Sequence, residues 1–130
     1  MPILENTIQG VLVLAAYGDV LEDKERMKKC VKRALREGAR RIVLDVSRVD
    51  VLHQLIPTGS WDPMRFWAND FLEATQLAKT WETRVACVIR EFENAPSDLR
   101  KGFAEVVLGV KGVEVFGTRE DAVNALKQSD

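Results

Sequence analysis

The side chains able to do chemistry gather in one stretch, RIVLDVSRVDVLHQLIPTGSWDP, residues 41 to 63. It holds Asp45, Asp50, the chain's only histidine His53, and the hydroxyls of Ser47, Thr58 and Ser60. A carboxylate beside an imidazole can move a proton, and a hydroxyl can accept a phosphoryl group. A single histidine excludes the common zinc constellations and leaves little scope for a Ser–His–Asp triad. Neither glycine-rich nucleotide signature is present, so no phosphate cradle is visible. Enzyme chemistry would rest on Asp45, Asp50 and His53 alone. A lone histidine beyond a strand reads more simply as a hydrogen-bonded loop residue. No enzyme activity, metal or cofactor is expected.

Asp45 merits a direct comparison. A carboxylate near the carboxyl end of a buried strand lies where open α/β sheets place their sites. A phospho-accepting receiver domain uses such an Asp, with an acidic cluster after its first strand and a Lys near a later strand end. Here the first of those positions reads AAYGD, with a single acid, and VEVFGT has no Lys. Asp45 is therefore expected to cap backbone N–H groups in the turn at Ser47-Arg48.

The elements that must position these groups alternate. ILENTI and VLVLAAY flank Gln9-Gly10 and predict a hairpin. Met27, Cys30, Val31, Ala34 and Leu35 form one helical stripe, with Asp19 and Glu22 spaced as a capping box and Gly38 as a left-handed C-terminal cap. IVLDV, VACVI and VEVF are nearly continuous apolar runs, as in parallel strands buried on both faces. Asp62 and Pro63 suit a helix start, with Trp61 and Phe66 as a hydrophobic staple. The helix to about Lys79 carries a broad apolar face of Met64, Trp67, Ala68, Phe71, Leu72 and Ala78, with Phe66 and Leu77 beside it. Ser97 is expected to cap a helix with Leu99, Phe103, Val106 and Val107 inward. Thr118 with Asp121 caps a last helix with Ala122, Val123 and Leu126 inward. The order is β-β-α-β-α-β-α-β-α. It implies an α/β domain spanning 1–130, with about five strands in a mixed sheet, about four helices and right-handed crossovers.

Composition narrows the partners. The 130 residues suffice for one domain with a real core. Nineteen Lys and Arg against twenty Asp and Glu leave no basic surplus for a nucleic-acid backbone. The run KERMKKCVKRALRE reads as a mixed-sign solvated helix face. No apolar run reaches membrane-span length, and MPILENTIQG lacks the basic start of a signal peptide, so the expected location is the cytoplasm. Cys30 and Cys87, far apart and on apolar faces, are expected to be buried thiols.

This pattern resembles the STAS domain, the fold of bacterial anti-sigma-factor antagonists and of the cytoplasmic tails of sulfate transporters. GVLVLAAYGDVL is similar to that family's second strand and its exit, RRIVLDVSRVDVL to its "ivlDls-v-fi" strand, and LGVKGVEVFGTREDAVNAL to its closing strand and last helix. The family's Asp-Ser-Ser/Thr-Gly motif, whose hydroxyl a partner kinase phosphorylates to release the complex, would fall on His53, Gln54, Leu55 and Ile56. Gln54 has no hydroxyl, so the usual phosphoswitch is absent. Thr58 and Ser60, a few residues along, are the candidate modification sites left.

The resemblance implies a non-enzymatic regulatory module that docks another protein, an anti-sigma factor or a related regulator. The expected contact runs through His53, Gln54, Thr58 and Ser60 into the next helix, with Trp61 and Arg65 as anchors. A homodimer is compatible with this reading. The alternative is a carrier or sensor of a small apolar, lipid-like ligand, lodged between the broad face of residues 64–81 and VACVI.

Overall fold

The computed structural model describes residues 3–16, 26–48, 62–80 and 82–127, with the backbone alone described at 62–69 and at Val107. The hairpin forms as its turn residues demand. Strands β1 (Ile3–Ile8) and β2 (Val11–Ala16) pair antiparallel. Gln9 and Gly10 both take positive φ, 52° and 83°. This suits a two-residue turn whose twist matches that of the strands. The remaining strands, β3 (Arg41–Asp45), β4 (Arg84–Val88) and β5 (Glu114–Phe116), run parallel to β2. The sheet order is β1-β2-β3-β4-β5.

That order decides the layering. Right-handed crossovers that always step to the next strand in one direction deliver their helices to one face. Helices α1 (Arg26–Arg36), α2 (Asp62–Ala78) and α3 (Ser97–Phe103, extended by a π turn over Ala104–Leu108) fill those crossovers. Met27, Val31, Phe71, Ala74, Ala104 and Leu108 pack there on Leu14, Ile42, Leu44 and Cys87. The other face holds Val11, Val13, Val43, Ala86 and Val88, and α4 (Arg119–Lys127) covers it with Ala122, Val123 and Leu126. Strands β2 to β5 are thus largely buried on both faces, which is why their sequences are continuous apolar runs, whereas the edge strand β1 stays mostly exposed. No helix among the described residues is long and apolar enough to cross a membrane.

Two local expectations hold. Gly38 ends α1 at φ 96°, and Thr118 Oγ1 accepts the backbone N–H of Asp121 at 3.3 Å. The expected box at Asp19 and Glu22 lies outside the described residues, and Asp70 of α2 supplies the first described bonds of α1. Its carboxylate, 3 % exposed, accepts Met27 N–H at 3.0 Å and Lys28 N–H at 3.1 Å. One helix thereby caps another, satisfying donors that an α-helix leaves open at its start.

α3 corrects two expectations. Pro96 occupies the N-cap position and Ser97 is the first helical residue, so no side chain caps this start. Leu99 is 55 % and Val106 84 % exposed, whereas Ala104 and Leu108 are buried. The inward line runs through the half-buried Arg100 and Phe103 to the buried Ala104 and Leu108. Phe103 meets Phe92 edge to face at 4.8 Å, and the Arg100 guanidinium lies over Phe116. A long charged side chain covers apolar surface with its stem, and the wider π turn rotates the residues after it. The spacing of the apolar residues therefore misplaces the face.

Candidate functional site

The parallel strands end together in Ala16, Asp45, Val88 and Phe116, and the antiparallel β1 begins at the same rim. The ladder extends slightly past β3, where Val46 N–H donates to Val88 O at 2.9 Å. The chain then turns at Ser47 and Arg48 into residues 49–61. Carboxyl ends of parallel strands are where α/β sheets place ligands and partners, because the loops there vary without disturbing the sheet.

Asp45 is the rim's most constrained charge, 3 % exposed. Its Oδ1 accepts Ser47 N–H at 2.9 Å and the Ser47 hydroxyl at 2.6 Å, which is the turn cap expected from sequence. Its Oδ2 accepts Arg119 Nε at 2.8 Å and stands 2.8 Å from Arg119 Nη2. Both carboxylate oxygens are occupied. The group serves as a bracket that ties the root of the 49–61 segment to the start of α4. A carboxylate so saturated is poorly placed to act as a nucleophile or base.

Beside this bracket, over the β1–β2 part of the α4 face, lies a hollow of about 500 Å³. Leu4, Val13 and Ala15 give it an apolar floor, and Asn6, Arg48 and Arg119 give it polar walls. α4 packs mainly across β2 to β5, and Leu4 of β1 stays 58 % exposed.

The residues expected to bind a partner, His53, Gln54, Thr58, Ser60 and Trp61, lie outside the described residues, as does Asp50. Arg65 falls within α2, where the backbone alone is described. The far end of the broad apolar face is core: Phe71, Ala74 and Ala78 are buried, and Thr75 Oγ1 lies 3.8 Å from Cys87 Sγ. Cys87 is a free, buried thiol whose pKa burial pushes up to about 12, with the Thr75 hydrogen bond pulling the other way. It is therefore a packing residue, not a nucleophile. Cys30, expected to be a buried thiol, is instead half-buried and in no disulfide. Among the described residues no three His, Cys, Asp or Glu side chains are grouped to hold a metal ion.

Three residues escaped the sequence reading. Asp70 had a signal, an acid interrupting the apolar WANDFL. Arg119 had none, since its partner is 74 positions away. Arg100 was hidden by the apolar residues around it. No family model matches this chain, and neither a curated protein nor a solved structure matches it.

Proposed function

We propose that the chain is a non-enzymatic regulatory module of STAS-like kind. It docks a protein partner, an anti-sigma factor or a related regulator, at the carboxyl rim of its sheet. The observation that carries this reading is the saturated Asp45 bracket: the carboxylate best placed for chemistry is committed to holding the root of the 49–61 segment. A fixed root under a segment that bears Trp61 and leads into the helix of Arg65 favours recognition over turnover, because ordering costs at the contact are reduced in advance. Gln54 at the usual acceptor position removes the family's switch. A phosphate on Thr58 or Ser60, near the start of α2, would meet the favourable end of a helix dipole, giving it an effect unlike the disruptive one.

A photo-crosslinking residue at position 61, used in the native cytoplasm, tests the docking. Capture of one regulator that is lost with Arg65→Ala supports it. A variant that crosslinks to nothing, or only to abundant bystanders, refutes it. A second reading, a carrier or sensor of a lipid-like ligand, is favoured by the hollow with an apolar floor and two guanidinia at its wall. Native mass spectrometry distinguishes the two: a co-purifying acyl compound displaced by Leu4→Trp supports the carrier, and a bare chain mass opposes it.

A further inference from the structure

A second hollow, of about 370 Å³, lies beyond the carboxyl ends of β4 and β5. α4, which gives Arg119 to the first hollow, gives Asp121 and Asn124 to this one, and Asn94 and Arg100 complete its polar lining. Such a volume is of the size that small-molecule sites occupy.

Arg100 is held in place twice. Its guanidinium lies 4.9 Å from the Phe116 ring centroid, and its Nη1 lies 2.9 Å from Glu114 Oε2. Stacking and the ion pair fix the plane of the group. Its Nε is buried with no hydrogen-bond partner among the described residues. Burying that donor unpaired is a cost the fold bears to keep the guanidinium there. Nη2 has no partner among the described residues. The rest of the polar lining is equally uncommitted. Asp121 uses its backbone N–H on the Thr118 cap, while its carboxylate, like the carboxamides of Asn94 and Asn124, makes no bond among the described residues.

The walls are also fixed relative to one another. Asn94 sits in the left-handed region at φ 65°, which Asn tolerates well. A Cβ on Gly117 would stand 2.1 Å from Glu93 Cα, so the turn carrying Asn94 packs directly on the end of β5. The backbone that carries these donors and acceptors is thereby fixed before a small ligand arrives.

The charges select the ligand. Arg100 is balanced by Glu114, and Asp121 adds a negative charge, so a simple anion is repelled. A simple cation would leave the Arg100 donors unused. Arg100 and Asp121 line one hollow without pairing with each other. We infer that this hollow binds a zwitterion, a free α-amino acid with a small or polar side chain. Its carboxylate takes the Nη2 edge of Arg100, its ammonium takes Asp121, and the carboxamides of Asn94 and Asn124 bond the remaining polar atoms. The inference uses no residue of the 49–61 segment, so it stands or falls apart from the docking reading.

Titration of the labelled full chain, followed by amide NMR, is the test, with L-glutamine and glycine as probes and propionate and n-propylamine as single-charge controls. The expected result is saturable shifts at Asn94, Gly117, Asp121 and Asn124 with the amino acids and none with the controls. Arg100→Gln and the exposed Asp121→Asn should each weaken binding about tenfold or more, as loss of a charge-assisted hydrogen bond does. Because Arg100 also packs on Phe116, Asp121→Asn decides the matter if Arg100→Gln fails to fold. Absence of shifts at these amides, propionate binding as well as glutamine, or unchanged affinity in Asp121→Asn would each overturn the inference.

Discussion

Replacing Asp45 by Asn keeps the shape of the side chain and removes its charge. In the native chain two Arg119 nitrogens converge on one carboxylate oxygen, Nε and Nη2 each at 2.8 Å. At that separation and an effective dielectric of about 20, the gross attraction is about 6 kcal/mol. Most of it is offset by stripping water from a carboxylate only 3 % exposed. Arg119 retains 35 % of its side-chain surface, so it rehydrates in part when its partner is neutralised. These opposing terms put the cost of Asp45→Asn at about 2 kcal/mol. Arg119→Ala should cost about 3 kcal/mol, since it strands a buried carboxylate that keeps only its Ser47 bonds. Urea denaturation of both single variants and the double variant is the assay, and the coupling should be about 1–2 kcal/mol. Strict additivity would refute the bracket. So would an Asp45→Asn chain as stable as the native one.

The remaining predictions concern packing and protonation. Asp70→Ala should cost about 1–3 kcal/mol and speed hydrogen exchange at Met27 and Lys28, whose N–H groups lose their acceptor. Unchanged exchange there would show that α1 is capped otherwise. Gly117→Ala should destabilise by about 2 kcal/mol or more in thermal unfolding, because the added Cβ falls 2.1 Å from Glu93 Cα. For Cys87, folding raises the thiol pKa from 9.0 to about 12, so the folded chain keeps a proton that the unfolded chain releases in that window. Stability should therefore be unaffected by this group below about pH 9 and fall as pH rises towards 12, with Cys87→Ala flattening that part of the profile. Thiol labelling of the native chain should modify the half-buried Cys30 well before Cys87.

The strands, the hairpin turn, the stripe of α1 and the cap of α4 were legible in the sequence, because each is written in residues a few positions apart. Alternation, continuous apolar runs, Gln9-Gly10 and Thr118 with Asp121 describe neighbours along the chain, and the backbone answers to neighbours first. The Ser47 half of the Asp45 bracket was legible for the same reason. Its other half, Arg119, depends on how far α4 swings back over the sheet. Only packing fixes that, and no local pattern reports a pairing across 74 positions. Asp70 reached α1 in the same way, from 43 positions off. The face of α3 was misread because spacing assumes a regular helix with apolar residues inward. The tertiary structure instead offered Arg100 an aromatic ring and a carboxylate to lie against, and then broke the spacing with a π turn. Periodicity records what a segment can bury. Which side chain finds a partner is decided only when distant surfaces meet, because a charge or hydrogen bond is worth having only where its complement has been brought within reach.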